Sequence, residues 1–305
     1  MKADYDVVVI GGGAAGLSAA LYAVRAKLKT VVLERFACGG QILNTAEIEN
    51  YPGFPEGILG PDLSSLLEKQ VTRFGAEVVL DEVEGIQIEG DIRVVKALEN
   101  TYRTKTIIIA SGGEHNKLGV PGEEEFAGRG VSYCATCDGN FFADQDVVVV
   151  GGGDAAIDEG LYLSRITKKV TVVHRRDQLR ASKILQERAF SNPKMDFKWS
   201  HTVEEVRGNG QVDRVLLKNL RTGERTEFGT YGVFIYIGFH PNSAFLRDVV
   251  PLDNGGHVQA NIRMETSIPG VYACGDVRQY SDRQLATAVG DGVTAALSAY
   301  NYITE

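Results

Sequence analysis

Short unbroken apolar runs alternate along this chain with glycine turns and with stretches rich in Ala and Leu. The first run, Asp6-Val-Val-Val-Ile10, ends in Gly11-Gly-Gly-Ala-Ala-Gly16. An apolar run of that length, bounded by turn residues, predicts a strand buried on both faces. The Ala- and Leu-rich stretch after it predicts a helix and Thr30–Leu33 a second strand, together a βαβ unit on a parallel sheet. The pattern recurs as Asp146-Val-Val-Val-Val-Gly151-Gly-Gly-Asp-Ala-Ala156. The repeat continues without a gap: Leu21-Tyr22 aligns with Leu161-Tyr162, Arg25 with Arg165, and Thr30–Leu33 with Val170–Val173. Two copies this far apart predict two related domains rather than a solenoid.

The segments around the repeats alternate as strands do: Glu77–Leu80, Gly85–Glu89, Ile92–Glu99 and Thr106–Ala110, then Val203–Val206, Val212–Leu220 and Thr226–Phe228 within the second copy. Val233–Ile237 reads as a further apolar strand and Ala286–Ile303 as a closing helix. Glycine and other breakers beside apolar strands place domain crossings near Gly112–Leu118 and Gly238–Ser243. The expected architecture is α/β, with two three-layer Rossmann-like dinucleotide-binding domains. One, residues 115–241, is inserted into the other, residues 1–114 and 242–305.

Composition narrows the function classes. The 305 residues are 44% apolar and 24% charged, with a formal net charge of -8. A negative balance argues against a nucleic-acid surface. No apolar run approaches the roughly 20 residues that span a bilayer, and the N-terminus lacks the basic region and cleavage site of a signal peptide. A cytoplasmic protein without a membrane partner is expected. The four cysteines, Cys38, Cys134, Cys137 and Cys274, are too few for a structural disulfide framework.

Each glycine motif sits between a predicted strand and a predicted helix, which separates it from a turn that binds nothing. Gly11 permits the tight turn, Gly13 lets the backbone approach a pyrophosphate, and Gly16 lets helix and strand pack closely; Gly151, Gly153 and Ala156 repeat the set. The helix N-terminus then favours anionic phosphates. The copies differ at the end of the second strand. Copy one has Glu34, a carboxylate that accepts hydrogen bonds from a free ribose and repels a 2′-phosphate. Copy two has His174-Arg175-Arg176, with Arg180 a turn further on, guanidinium groups suited to a phosphate. Copy two is therefore expected to bind NADP(H) and copy one a dinucleotide with an unphosphorylated ribose. The competing reading of the arginines is a solvated basic run.

Cys134-Ala-Thr-Cys137 is a closely spaced pair whose conversion between dithiol and disulfide needs little backbone motion. A closed zinc site needs further ligands, and neither a second C-x-x-C nor a paired histidine accompanies it. Asp138 follows directly. It is either a proton carrier for thiol–disulfide exchange, if burial raises its pKa, or an ordinary turn residue.

Cys134-Ala-Thr-Cys137-Asp138-Gly139 resembles the active-site signature of low-molecular-weight thioredoxin reductases. Gly39-Gly-Gln41, Glu49-Asn50-Tyr-Pro-Gly53, His174-Arg-Arg-x-x-x-Arg180, Gly270-Val-Tyr-Ala-Cys-Gly275-Asp276 and Arg283-Gln284 extend the resemblance over nearly the whole chain. It implies electron flow from NADPH through FAD to Cys134–Cys137 and on to a thioredoxin disulfide, by a homodimer whose NADPH domain rotates against its FAD domain. FAD would be held by Gly11, Gly13, Ala14, Ala15, Gly16, Glu34, Arg35, Gly40, Gln41, Asn50, Val83, Ala110, Gly112, Asp276, Arg283, Gln284 and Leu285. NADPH would be held by Gly151, Gly153, Asp154, Ala155, Ala156, His174, Arg175, Arg176, Arg180, Ile237 and Gly238. Cys137 would be the thiol next to the flavin, Cys134 the thiol that attacks the partner, and Asp138 the acid/base.

The resemblance also brings Arg129 and Phe141-Phe142 near the partner; otherwise they are a surface cation and core aromatics. Ser111 stands where the family often has Thr. Asp154 puts a carboxylate in the first turn after the second glycine motif, where it either weakens nucleotide binding or caps the helix. Cys38 and Cys274 read as small residues near the FAD pocket. Two other functions fit the same residues: a reductase of a glutaredoxin-like or peroxidase-linked disulfide, and a flavin redox sensor without turnover.

Overall fold

The computed structural model describes residues 3–45 and 47–305. They form two compact α/β units, one from the chain up to Glu114 together with His240–Glu305, the other from His115–Phe239. The second is thus an insertion in the first.

In the first unit seven strands share one sheet, in the order Glu77–Leu80, Thr30–Glu34, Tyr5–Ile10, Thr101–Ile109, Ile92–Ala97, Val83–Glu89, with Val271–Ala273 also pairing Thr101–Ile109. Strand Tyr5–Ile10 is parallel to both neighbours, with Val9 opposite Val32 and Ile108. Val7, Val8 and Val9 have no solvent exposure. Val7 and Val9 pack with Leu17, Ala20 and Ala23 of helix Ala14–Arg25 and with Ala295 and Ala299 of helix Leu285–Thr304. Val8 and Ile10 face Leu246, Val258 and Val277 on the other side. Cover on both faces is the reason the run is unbroken.

Strand Thr101–Ile109 begins earlier than its apolar run suggests. Thr101–Thr104 pair antiparallel with Arg93–Lys96, whereas Ile107–Ile109 pair parallel with Val271–Ala273. The first half lies in an antiparallel ribbon and is polar at alternate positions; only the second half enters the two-sided core. Helix Gly60–Arg73, with Pro61 and Asp62 in its first turn, is a further element that apolar runs do not announce.

In the second unit five strands run parallel in the order Val131–Ser132, Gly232–Tyr236, Asp146–Gly151, Lys169–His174, Met195–Trp199. Helices Asp154–Leu163 and Lys183–Ser191 cover one face, with Ile157, Leu163 and Ala189 packed on Val147, Val149 and Val172. An antiparallel sheet of His201–Asn209, Gln211–Asn219 and Arg225–Gly229 covers the other, where Val203, Val215 and Leu217 meet Val148, Val150 and Val233. The chain crosses between the units through Gly113–His115 and Phe239–Pro241, which pair as a two-stranded ribbon. Among the described residues no helix is long and apolar enough to cross a membrane.

Candidate functional site

In the first unit the glycine turn is built by close approach. Gly11 has a φ of 105°, and a methyl group there would lie 2.4 Å from the Ala110 carbonyl oxygen. A methyl at Gly16 would lie 1.9 Å from the Gly11 carbonyl oxygen. Gly13 differs: a methyl there would meet no protein atom within 4 Å. Nothing among the described residues demands glycine at that position, whereas a pyrophosphate lying against it would. Gly13 also heads helix Ala14–Arg25 without a side-chain cap and with no acidic residue in the first turn. The N–H groups there are open to an anion.

Glu34 reaches this turn from the neighbouring strand. Its Oε2 accepts the Gly12 N–H at 2.8 Å, and its Oε1 accepts the N–H groups of Arg35 at 2.8 Å and Phe36 at 3.2 Å. Arg35 pairs with Glu114. The Asp81 N–H donates to the Glu34 carbonyl, and Val83 follows at the same sheet end, packed with the second face of the core.

Loop Gly39-Gly40 is tied to the turn by the Gly39 N–H, which donates to the Gly12 carbonyl at 2.8 Å. Gln41 Nε2 donates to the Gly113 carbonyl at 2.9 Å, and Asn50 Nδ2 to Gln284 Oε1 at 3.4 Å. Leu285, the first residue of the last helix, packs with Ile42, Ile48 and Leu63. The Gly112 carbonyl accepts the Asn242 N–H. Asp276 is partly buried and accepts Ser281 Oγ–H at 3.2 Å; burial pushes its carboxyl above the usual range, opposed by Ser281 and the Arg283 and Arg278 charges. Cys38 and Cys274 are buried free thiols, and burial pushes Cys38 up to about 12, so neither is a ready thiolate.

The second unit repeats the cradle. A methyl at Gly151 would lie 2.5 Å from the Tyr236 carbonyl oxygen and 2.6 Å from Ala156 Cβ, while one at Gly153 would meet nothing within 4 Å. Gly153 heads helix Asp154–Leu163, again without a side-chain cap. Ala155 is exposed beside it and Ala156 fully buried. Asp154 does not cap its own helix; its Oδ1 accepts the Ser182 N–H at 2.5 Å. That bond, with the Arg180 N–H donating to the Gly152 carbonyl at 2.7 Å, draws the segment carrying Arg180 to the glycine turn.

His174 lies under Gly152, where a methyl would come 2.3 Å from its ring. Burial pushes its pKa down, helped by the charges of Arg180, Arg176 and Arg175 and opposed by a hydrogen bond with the Gln178 backbone. Its Nε2 is buried and has no protein partner among the described residues. Arg175, Arg176 and Arg180 are exposed and line a cavity of about 420 Å³. This donor set suits a phosphate on a ribose. Ile237 and Gly238 follow the end of the neighbouring strand Gly232–Tyr236, where Asn116 Nδ2 donates to the Ile237 carbonyl and the Asn116 N–H to the Gly238 carbonyl.

Cys134 and Cys137 form a disulfide with Cα atoms 5.3 Å apart. Cys134 is the N-cap of the short helix Ala135–Asp138, and its Sγ accepts the Cys137 N–H at 3.2 Å. Asp138 Oδ2 accepts Ser132 Oγ–H at 2.6 Å, and Ser132 Oγ accepts the Cys134 N–H at 3.1 Å. Burial pushes the Asp138 carboxyl above the usual range, with the Ser132 bond opposing. Of the two neighbouring aromatics, Phe142 packs edge-on to Phe234 in the core and Phe141 is exposed; Arg129 bonds the Glu125 carbonyl.

Two uncapped glycine cradles and a disulfide with a protonatable neighbour are what hydride-to-thiol chemistry needs. The family pattern of the pyridine nucleotide-disulphide oxidoreductases matches residues 5–292. The chain belongs to that family. A protein named thioredoxin reductase from Bacillus subtilis strain 168 is 50% identical over 302 residues, 99% of this chain and 95% of that one. Another of that name from Peptoclostridium acidaminophilum is 46% identical over 309 residues, 99% and 98% of the two chains. The crystal structure of thioredoxin reductase from Streptococcus pyogenes superposes with a TM-score of 0.96 at 49% identity, covering 98% of each chain. The α/β fold with two Rossmann-type domains is that of the family.

Several residues that serve these sites carry no local signal. Asp291, on the last helix, makes a bidentate pair with Arg278 at 2.6 and 3.0 Å and accepts the Gly275 N–H at 3.1 Å, fixing the turn that presents Asp276. Fully buried Glu123 accepts the Leu118 and Gly119 N–H groups and the Tyr133 hydroxyl, anchoring the residue before Cys134. A Ser two residues before a C-x-x-C is a weak hint of Ser132; nothing local marks Asp291 or Glu123.

Proposed function

We propose that this chain is an NADPH-dependent, FAD-containing thioredoxin reductase. The observation that carries the reading is the Cys134–Cys137 disulfide with Asp138 and Ser132 at its back, in the same unit as an arginine-lined cleft beside a glycine turn. Gly11, Gly13, Ala14, Ala15 and Gly16 hold the FAD pyrophosphate, Glu34 its adenosine ribose, and Gly40, Gln41, Asn50, Asp276, Arg283, Gln284 and Leu285 the flavin half. Arg35, Val83, Ala110 and Gly112 complete that lining. Gly151, Gly153, Asp154, Ala155 and Ala156 form the turn that takes NADPH, with Ile237 and Gly238 at its edge, and His174, Arg175, Arg176 and Arg180 take its 2′-phosphate. Bound FAD supplies two-electron exchange between a nicotinamide and a disulfide.

Once the pair is reduced, this chain's own residues complete the transfer. The Cys137 N–H and the helix N-terminus stabilise a thiolate on Cys134. Cys134 Sγ attacks the thioredoxin disulfide, one partner sulfur leaves as a thiolate, and a mixed disulfide forms. Cys137 Sγ then displaces the second partner sulfur and closes Cys134–Cys137 again, leaving two partner thiols. Asp138, its carboxyl pushed up by burial and aimed by Ser132, hands a proton to the first departing partner thiolate and takes one back from the Cys137 thiol as that sulfur attacks; the second departing thiolate is protonated from solvent. The reading includes a cytoplasmic homodimer with neither a membrane nor a nucleic-acid partner; a net charge of -8 supports the last point.

Purified protein is mixed with NADPH and a panel of oxidised partners: thioredoxin, a glutaredoxin-like protein and a peroxidase-linked protein. A yellow protein that oxidises NADPH in preference to NADH and turns over thioredoxin fastest is expected. Cys134→Ser should still let NADPH bleach the visible flavin band while partner reduction is lost. Turnover of another partner alone, or a flavin spectrum that NADPH leaves oxidised, overturns the reading.

A further inference from the structure

The cavity beside His174 has a wall that comes from a different sheet. Besides Arg175, Arg176 and Arg180 it is lined by Asp177, Ser200 and Arg221. Arg221 sits in the turn between strands Gln211–Asn219 and Arg225–Gly229, where its N–H donates to Asn219 Oδ1 at 2.9 Å. That turn is hooked to the arginine loop through one residue. The Ser200 N–H donates to the Arg176 carbonyl at 3.1 Å, and the Ser200 carbonyl accepts the Leu220 N–H at 2.6 Å. Ser200 is buried and has a φ of 56°, a left-handed turn that lets one residue make both bonds. The Arg221 guanidinium is also aimed from the side, by a 2.7 Å ion pair with Asp177.

We propose that Arg221 is a further specificity-determining residue for the nucleotide 2′-phosphate, and the inference rests on the reading of this unit as the NADPH site. Four guanidinium groups and one carboxylate line the cavity, leaving it cationic with Asp177 satisfied. Arg175, Arg176 and Arg180 approach from the loop after one strand of the parallel sheet, whereas Arg221 approaches from the antiparallel sheet. A phosphate between them has oxygens facing both walls, and a planar guanidinium meets two of them at once. The Asp177 pair holds Arg221 in place before the nucleotide arrives, which lowers the ordering cost of binding.

The test is equilibrium binding of 2′,5′-ADP and of 5′-ADP to the FAD-loaded protein by titration calorimetry. Arg221→Ala is expected to weaken 2′,5′-ADP by about threefold to tenfold, the range for one solvent-exposed charge-assisted contact, and to leave 5′-ADP unchanged. Arg221→Lys should fall between, since the charge stays and the fork is lost. The combination Arg221→Ala with Asp177→Asn should remain weaker than Asp177→Asn alone. Recovery in the combination would mean that Arg221 only neutralises Asp177, and overturns the inference. So would an unchanged 2′,5′-ADP affinity, or an equal loss for both ligands. An unmodified protein that binds 5′-ADP as tightly as 2′,5′-ADP would instead remove the underlying NADPH reading.

Discussion

Replacing Gly153 by alanine separates glycines that the fold needs from glycines that a ligand needs. Gly153 has φ -93° and ψ -177°, ordinary extended backbone, and an added methyl meets nothing within 4 Å. Alanine therefore introduces no clash. It removes unfolded-state freedom, which stabilises by about 0.4–1 kcal/mol. It is a poorer N-cap than glycine, which costs up to about 1 kcal/mol. The two offset, so thermal unfolding without nucleotide should shift by no more than about 3 °C. Gly16→Ala is the contrast: its methyl would stand 1.9 Å from a backbone oxygen, and relieving that overlap costs about 1–3 kcal/mol or more. Calorimetric titration with NADP+ then reads the other half of the argument. The Gly153→Ala methyl projects where the pyrophosphate backbone must approach, and affinity should fall by at least about tenfold. A Gly153→Ala protein that binds NADP+ like the unmodified one, or that unfolds as early as Gly16→Ala, refutes the reasoning.

Asp138→Asn should slow thioredoxin reduction by about 10²-fold, the lower end for a lost general acid, in a stopped-flow assay of the reduced enzyme. Its stability effect has a definite sign: the folded pKa is raised, so wild-type carries no penalty below the usual carboxylate range and a growing one as pH rises through the raised value. The variant should thus gain melting temperature at pH 7–8 and gain none at the acid end; the reverse order would contradict a carboxyl pushed up by burial. Asp291→Ala leaves Arg278 without its carboxylate partner, holding only the Gln279 and Tyr280 carbonyls, and removes the acceptor of the Gly275 N–H. Removing one member of a buried pair costs about 3–5 kcal/mol, so lower melting and lower flavin content per chain are expected, read from the unfolding curve and the visible absorbance.

Much of the redox centre is local in sequence and was legible there. Cys134, Cys137 and Asp138 lie within one turn of chain, so their proximity follows from covalent geometry. The glycine turns are equally local, and the registry of Glu34 with His174 follows once the two repeats are aligned. What each neighbour does was open. Asp154 reads in sequence as a residue that either weakens nucleotide binding or caps its helix; it does not cap, and instead holds Ser182 and so draws in Arg180. Phe141 and Phe142 look alike on paper, yet only Phe142 enters the core.

The order of apolar and polar positions determined the strands, the helices and the doubling of the nucleotide unit, because burial on one or both faces imposes its period on the chain itself. It missed helix Gly60–Arg73, whose signal was a Pro and an Asp in its first turn rather than an apolar run, helix Lys183–Ser191 and strand Met195–Trp199 of the second unit, and the polar half of strand Thr101–Ile109. Only the tertiary structure decided that Asp291 holds the turn before Asp276, that Glu123 anchors Tyr133 behind Cys134, and that Arg221 faces Arg175 across a cavity. Hydrogen bonds and ion pairs form between whatever the folded backbone brings within about 3 Å, and for residues on separate elements that distance is set by packing, which leaves no periodic trace in either segment.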